Sequence, residues 1–345
     1  MSRARNIDFL LTELFGVEEL CKTSKFKDHD RESFRQALAA AERLANELFA
    51  PHAAEADIME PEMRDSRVWV LPEIGKALRA LAEGGFLAMG LDAGCGGMQM
   101  PWVIVQACHA HFYAANTGTF AYAMLTTAAA NLLAAFGTES QKARYLRPML
   151  EGRYFGTMCL SEPDVGSSVG DLKMRADPQP DGSFRLSGAK MWISGGEHEL
   201  AENIIHMVLA RIAGAPAGTG GVSLFIVPRY RVGEDGATGE WNDISLAGIN
   251  HKMGYRATVN TLLKFGEHGQ CIGHLIGEPN QGLRQMFHMM NEARVAVGLS
   301  STMLAYTAYE CALDYARGRR QGRLPDDRDP LAPLVPIIEP HCRPN

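Results

Sequence analysis

Residues Tyr154–Gly196 have the sequence YFGTMCLSEPDVGSSVGDLKMRADPQPDGSFRLSGAKMWISGG. The stretch contains two apolar runs, Phe155–Leu160 and Lys190–Ser194, and glycine or hydroxyl residues lie at the end of each. Between the runs, Pro180-Asp181-Gly182 is typical of a hairpin turn. We therefore predict two strands whose ends offer an indole, hydroxyls and free backbone N–H groups. Together these groups suit a planar, hydrogen-bonding ring with a phosphate tail.

A purely structural interpretation of the same residues is also open. A single tryptophan on a strand, such as Trp192, is commonly a core residue. The tripeptide Ser161-Glu162-Pro163 is commonly no more than a turn. Residue chemistry alone leaves both interpretations standing.

Two segments within this stretch resemble a known family. CLSEPDVGSS at 159–168 and SGAKMWISGG at 187–196 are similar, in order and in spacing, to the paired flavin-contact segments of the acyl-CoA dehydrogenases. The run SGGEHELAENIIH and the N-terminal extension resemble the long bacterial branch, which includes 3-methylthiopropanoyl-CoA dehydrogenases. Further matching segments are LAEGGFL at 81–87, FGTESQK at 136–142, GEPNQG at 277–282 and EAR at 292–294.

The resemblance implies an α+β fold of three domains. These are an N-terminal all-α bundle at 1–153, a middle antiparallel β domain at 154–279, and an incomplete C-terminal helical bundle at 280–345. It implies FAD as the cofactor, and the matching flavin-contact residues are Met158, Leu160, Ser161, Gly166, Ser167, Trp192 and Ser194. The residues that match substrate-binding positions are Ser167, Asn291 and Arg294. Arg319 and Gln321 match a segment that reaches the FAD pyrophosphate of a neighbouring subunit, which implies a homo-oligomer.

The reaction implied by the resemblance is α,β-desaturation of an acyl-CoA thioester, with hydride transfer to flavin N5. An electron-transfer flavoprotein or a similar acceptor then takes the electrons. A glutamate of the family removes the α-proton, and it normally lies well downstream of Arg294. A few members place it directly before that arginine, where this chain has Ala293, and the neighbouring Glu292 is turned about 100° around the helix. We therefore identify no catalytic base in the chain, and we expect the base beyond Asn345.

The last residues add to this expectation. Pro340 and Pro344 oppose the helix that the family has next, so we expect a frameshift or truncation near Glu339. Two other functions stay open. One is a non-catalytic protein or subunit that binds flavin or acyl-CoA, and the other is an acyl-CoA oxidase-like flavoenzyme.

Composition limits the class of protein. The chain has 345 residues and a formal net charge of -6, which argues against a nucleic-acid-binding surface. Seven cysteines without a CxxC pair indicate reduced thiols. The N-terminus lacks the apolar core of a signal peptide. We therefore expect a cytoplasmic protein.

Apolar periodicity predicts helices over Ser33–Phe49, Leu71–Leu81 and Thr302–Arg317, and Asn280 is a candidate cap for one that begins at Gln281. The apolar segment Thr119–Phe136 has two interpretations, a membrane span or a helix buried on all sides. Its alanine-rich centre and the lack of tryptophan or arginine at its ends favour the buried helix. Apolar runs also predict three strands, at Ile204–Ile212, Gly221–Val227 and Thr258–Phe265.

Several polar clusters also have two interpretations. His109 and His111 are two residues apart, a poor spacing for a shared helical face, so core histidines are favoured over a metal pair. Glu197-His198-Glu199 suits a metal or acid/base site but is favoured as a solvated turn. Arg294 could instead pair structurally with Glu292. The cluster Arg317, Arg319, Arg320 and Arg323 has a second interpretation as a solvated helix end.

Overall fold

The computed structural model describes residues 3–324 and 329–338. The helices are α1 (Arg3–Asp8), α2 (Arg31–Leu44), α3 (Ala53–Ile58), α4 (Pro72–Glu83), α5 (Trp102–Phe136), α6 (Glu139–Gln141), α7 (Arg147–Leu150) and α8 (Gly282–Gly318). The strands are β1 (Glu62–Arg64), β2 (Arg67–Trp69), β3 (Tyr154–Cys159), β4 (Arg175–Pro178), β5 (Phe184–Ser194), β6 (Asn203–Ile212), β7 (Val222–Pro228), β8 (Tyr230–Val232), β9 (Thr238–Trp241), β10 (Ile244–Ile249), β11 (Asn260–Phe265) and β12 (Ile272–Leu275).

Two expectations concern residues that fall outside the described part of the chain. The expected break near Glu339 and the prolines after it lie outside these residues. Asn345, beyond which we expect the catalytic base, also lies outside them. Both expectations therefore stay predictions.

Helix α5 is the central element of the helical part. Within the described residues it is long and apolar enough to cross a bilayer, but 72% of its most apolar window is buried by the rest of the chain. The helix is interrupted at Asn116 (φ -161°, ψ 87°). The Asn116 Oδ1 accepts a hydrogen bond from the Thr119 N–H (3.0 Å) and so caps the second half. The structure thus agrees with the buried-helix interpretation.

An eight-stranded sheet forms the middle of the chain. The strand order is β10-β11-β5-β12-β7-β6-β3, and β4 pairs with both β5 and β6. Most pairs are antiparallel, as predicted, but β3 and β4 run parallel to β6. The three predicted strands correspond to β6, β7 and β11. Every residue of β7 is buried, which explains its continuous apolar sequence.

The predicted hairpin turn lies between β4 and β5. Gly182 has φ +82°, and the Asp181 carboxylate accepts a hydrogen bond from the Ser183 N–H (3.0 Å). This is the Asp-Gly turn that the sequence indicated. The strand before the turn is the short β4 and not the apolar run of β3.

Helix α8 differs from the prediction in two ways. It is one continuous helix of 37 residues, where we predicted a break before Thr302. The helix persists because its buried side packs on the core along most of its length. Asn280 is not the cap, since it has φ +63° and its N–H donates to Ser223 Oγ (2.8 Å). The opposite side of α8 is exposed and includes Val295, Val297, Leu304, Tyr309 and Tyr315.

Two glycines of α8 give opposite expectations for alanine. A Cβ at Gly298 would meet no atom within 4 Å, so Gly298→Ala should raise the free energy of unfolding by about 0.5–1 kcal/mol. A Cβ at Gly282 would lie 2.3 Å from the Ser223 carbonyl carbon, so Gly282→Ala should lower it by about 1–3 kcal/mol. Urea denaturation of the two variants checks both. Equal effects of the two substitutions would contradict this account of the helix.

Candidate functional site

A β-bulge shapes the end of strand β5. Lys190 and Ile193 are both buried although they are three residues apart, which regular alternation does not allow. The pairing with β11 shifts between Lys190↔Leu263 and Ile193↔Thr261, so Met191 and Trp192 together face one residue. Trp192 has φ +64°, and the residue is 59% exposed. The bulge therefore turns the indole away from the core and towards solvent.

The two segments singled out from the sequence are neighbours in the structure. The Met191 N–H donates to the Ser161 carbonyl (3.0 Å). Met158, Leu160, Ser161 and Ser194 are each half-buried, so their side chains are partly accessible beside the exposed Trp192. The Ser194 Oγ accepts a hydrogen bond from Asn260 Nδ2 (3.2 Å).

The turn after β3 is closed by backbone bonds between Glu162 and Val165 in both directions (2.7 and 3.1 Å). Gly166 and Ser167 follow this turn and are exposed. A Cβ on Gly166 would meet nothing within 4 Å. These two residues therefore leave open space for a ligand beside the strand ends.

A buried ion pair lies beneath these strand ends, and the sequence analysis missed it. The Lys190 side chain is 0% exposed, and its Nζ donates to Glu162 Oε1 and to the Leu160 carbonyl (both 3.0 Å). The Glu162 carboxylate also accepts from the backbone N–H groups of Lys173 (2.7 Å) and Met174 (3.0 Å). Burial lowers the pKa of Lys190, and the nearby Glu162 carboxylate acts in the opposite direction. The sequence did contain a signal for this pair, because Lys190 lies within an otherwise apolar strand segment and a buried lysine needs a partner.

The solvated turn predicted at Glu197-His198-Glu199 is wrong for Glu197 and His198, whereas Glu199 is exposed. Glu197 forms an ion pair with the buried Arg229 (2.5 Å), and burial raises the pKa of its carboxyl even so. The His198 ring packs edge-on against Tyr122 and Phe155, and burial lowers its pKa to about 3. The arginine makes burial of the Glu197 carboxylate possible, because its N–H donor and positive charge replace the hydration that the carboxylate loses.

His109 and His111 are buried in α5, as the core interpretation requires. Burial lowers the pKa of each to about 4, so both imidazoles are neutral near pH 7. Within residues 3–324 and 329–338, no group of three or more histidine, cysteine, aspartate or glutamate side chains is arranged to hold a metal ion.

Asn291 and Arg294 lie together on the exposed side of α8. The Arg294 guanidinium donates to Asn291 Oδ1 (2.9 Å) and lies over the Phe287 ring. Arg319 and Gln321 contact each other just past the end of α8 (3.3 Å). The two pairs are separated by about 36 Å along the helix, since each residue rises about 1.5 Å. One chain therefore does not bring them into one site.

The remaining arginines near the end of α8 are only partly a solvated helix end. Arg320 donates to the Leu334 carbonyl (3.0 Å), and Arg323 donates to the Ala332 carbonyl (2.7 Å). These two side chains hold a later segment against the end of the helix. Arg317 lies 3.8 Å from Asp314 within the helix.

Glu292 is turned about 100° around α8 from Asn291, and its side chain bonds to Asn131 of α5. The Asn131 Nδ2 donates to Glu292 Oε1 (2.5 Å). Burial raises the pKa of Glu292 to about 7, and the Asn131 hydrogen bond acts in the lowering direction. The structural pairing considered between Arg294 and Glu292 does not form. Glu292 instead lies between α5 and α8, and the pKa of its carboxyl is close to neutral pH.

Family models match two long regions of this chain. The model for the N-terminal domain of acyl-CoA dehydrogenases matches residues 31–153, and the model for their middle domain matches residues 157–266. The chain belongs to the acyl-CoA dehydrogenase family. Members of this family are FAD enzymes.

Two curated relatives in the acyl-CoA dehydrogenase family align with nearly the whole chain. One is a 3-methylmercaptopropionyl-CoA dehydrogenase of Ruegeria pomeroyi, 37% identical over 336 residues. The other is the broad-specificity linear acyl-CoA dehydrogenase FadE5 of Mycobacterium tuberculosis, 38% identical over 343 residues. Each alignment covers 97% of this chain and 56% of the relative. The chain thus spans little more than half the length of these acyl-CoA dehydrogenases.

A solved structure supports the acyl-CoA dehydrogenase fold. An acyl-CoA dehydrogenase of Bacillus anthracis in complex with FAD matches with a TM-score of 0.70 at 22% identity, over 88% of this chain and 47% of that one. The helical N-terminal part, the β-rich middle and the helix after it agree with the fold that the resemblance implied.

Proposed function

We propose that this chain provides the FAD site of an acyl-CoA dehydrogenase, an oxidoreductase that desaturates an acyl-CoA thioester between the α and β carbons. The observation that supports this most directly is the bulge at Trp192. It holds a large exposed indole beside Ser161 and Ser194, on two adjacent strand ends. A residue other than glycine in this strained backbone conformation is typical of a functional position.

The residues at these strand ends fit a flavin in their chemistry. The ring has a flat apolar face and an edge of hydrogen-bonding atoms, and the site offers an indole together with serine hydroxyls. Gly196 allows the chain after β5 to approach strand β11 closely, since a Cβ at this position would lie 2.2 Å from Thr261 Oγ1. When bound, FAD supplies the hydride acceptor for the reaction.

We assign the protein's own residues to binding and orientation. Met158, Leu160 and Trp192 would contact the ring, while Ser161 and Ser194 would donate hydrogen bonds to its polar edge. Gly166 and Ser167 would meet the cofactor and the CoA part of the substrate. Asn291 and Arg294 would bind the polar CoA portion, where an exposed guanidinium suits phosphate or carbonyl oxygens. We assign removal of the α-proton to none of the described residues.

The partners and location follow from the same proposal. Arg319 and Gln321 lie about 36 Å along α8 from Asn291 and Arg294, and we propose a homo-oligomer in which they reach a neighbour's FAD pyrophosphate. We propose an electron-transfer flavoprotein or a similar acceptor as the oxidant. The described cysteines carry free thiols, which supports a reducing compartment such as the cytoplasm.

The test is FAD binding by the full 345-residue chain, followed by addition of acyl-CoA. We expect Trp192→Ala to weaken FAD binding about 3- to 10-fold, since aromatic contacts contribute about 0.5–1.5 kcal/mol beyond burial. Trp241→Ala is the matched control, because Trp241 is also exposed (45%) but lies on β9, in a separate two-stranded sheet. Isothermal titration measures both.

The outcomes separate the alternatives. Bleaching of the bound flavin by acyl-CoA supports a dehydrogenase, and oxygen consumption on turnover would indicate an oxidase. FAD binding without bleaching would indicate a binding protein or subunit. A wild-type chain that folds but does not bind FAD would overturn the proposed site.

A further inference from the structure

We propose that Lys190 is a positioning residue for the flavin. It holds and polarises the Leu160–Ser161 peptide so that the Ser161 N–H donates to the acceptor edge of the ring, and it thereby favours the reduced flavin. This inference rests on the proposed FAD site and adds to it a residue that is itself buried out of reach of the ligand.

The orientation of the peptide comes from a single hydrogen bond. Lys190 Nζ donates to the Leu160 carbonyl (3.0 Å), and the described peptide bonds are all trans. In a trans peptide the C=O and the following N–H point in opposite directions. The Ser161 N–H therefore points away from the buried lysine. In the described part of the chain it donates to no acceptor, so a ligand or water must accept from it.

The Ser161 backbone is held on both sides. The Leu160 carbonyl is bound by Lys190, and the Ser161 carbonyl accepts from the Met191 N–H (3.0 Å). Either contact alone would permit some rotation of the peptide. The two together fix the direction of the N–H before any ligand arrives, which lowers the cost of binding.

Glu162 keeps the lysine in place. Its carboxylate accepts from Lys190 (3.0 Å) and from the N–H groups of Lys173 and Met174. The lysine, the turn after β3 and the chain leading into β4 are thus joined through one carboxylate. The arrangement costs the protein two desolvated charges. It yields a fixed cation one peptide away from the proposed ring.

The charge of Lys190 should matter for the redox equilibrium. A cation bonded to the carbonyl end of an amide polarises it and makes its N–H a stronger donor. A flavin gains electron density when it is reduced, so a fixed donor at its acceptor edge stabilises the reduced form more than the oxidised form. A lysine that served only as a structural brace would have no such effect.

The experiment compares three variants of the full chain loaded with FAD. Lys190→Met removes the cation, and Lys190→Met combined with Glu162→Gln removes both charges, so that no unpaired charge remains buried. Arg229→Met is the matched control. Arg229 is also buried, also pairs with a carboxylate (Glu197, 2.5 Å) and also donates to a carbonyl (His198, 2.7 Å), but that carbonyl lies beyond the two flavin-contact segments.

The main measurement is the reduced-to-oxidised ratio of bound flavin, read against a reference dye at a fixed potential. We expect the ratio to fall roughly tenfold in both Lys190 variants, which corresponds to about 30 mV for a two-electron couple. In Arg229→Met we expect lower thermal stability with an unchanged ratio. A folded, FAD-loaded double variant with the wild-type ratio would overturn the inference.

A second measurement needs no variant. Amide hydrogen exchange at Ser161 in the wild-type chain should slow when FAD is added, because the N–H then has an acceptor. An unchanged exchange rate in the FAD-loaded protein would also overturn the inference while leaving the FAD site standing. Absence of FAD binding would instead overturn the proposed function on which the inference rests.

Discussion

Glu162→Ala should lower the free energy of unfolding by about 3–5 kcal/mol, the range expected when one partner of a buried ion pair is removed. The substitution leaves the Lys190 ammonium in the interior without its counter-charge. It also removes the acceptor for the backbone N–H groups of Lys173 and Met174. Each of these losses is a recognised source of large destabilisation. Urea denaturation followed by circular dichroism measures the change.

Two further variants separate the causes of this loss. Glu162→Gln keeps an oxygen acceptor but loses the charge, so its effect should be smaller than that of alanine. Glu19→Ala removes a carboxylate from an ion pair of similar length, Lys22–Glu19 at 2.7 Å, in which both side chains are about 70% exposed. That pair should contribute little because water screens it. Equal losses in Glu162→Ala and Glu19→Ala would contradict the role given to burial.

Glu292→Gln should change how stability depends on pH. Burial raises the pKa of Glu292 from an ordinary value of 4.5 to about 7. Between these two values the folded protein retains a proton that the unfolded chain has lost. The free energy of unfolding therefore falls as pH rises through this window. The full cost is roughly 3 kcal/mol, at 1.36 kcal/mol for each unit of pKa.

The glutamine variant has no carboxyl to lose a proton at this position. Between pH 5 and pH 8 its free energy of unfolding should therefore rise relative to that of the wild type by roughly 2–3 kcal/mol. Taking the difference between the two proteins cancels the titration of all other groups. Asn131→Ala is the companion variant. It removes the donor that favours the carboxylate, so it should raise the folded-state pKa further and extend the loss of stability to higher pH. Parallel pH profiles for wild type and Glu292→Gln would contradict the raised pKa.

The sequence was informative where chemistry is local. The Asp181-Gly182 turn, the apolar strand β7 and the alanine-rich centre of α5 each follow from composition and period. The two flavin-like segments were predicted to present their ends to one ligand, and the structure joins them directly through Met191 and Ser161.

The features that were missed depend on packing between distant residues. Strict alternation along β5 would bury Lys190 and Trp192 on the same face, and the bulge in the pairing with β11 separates them. His198 is buried because Arg229, some thirty residues later, neutralises the neighbouring carboxylate. Helix α8 continues through Gly298 because its other side is packed on the core. None of these partners can be inferred from a local window.

The parallel pairing of β3 with β6 has a consequence for how the molecule is assembled. Thr157 on β3 lies opposite His206 on β6, 49 residues later. The β4–β5 hairpin, by contrast, pairs residues only a few positions apart. The hydrogen bonds within helix α5 are likewise local. Contacts between distant parts of a chain form slowly, because the intervening loop must first give up its conformational freedom. We therefore expect the strand leading to Leu160 and Ser161 to join the sheet after the β4–β5 hairpin has formed. A newly synthesised chain can therefore form its local helices and hairpins before the proposed cofactor site is complete.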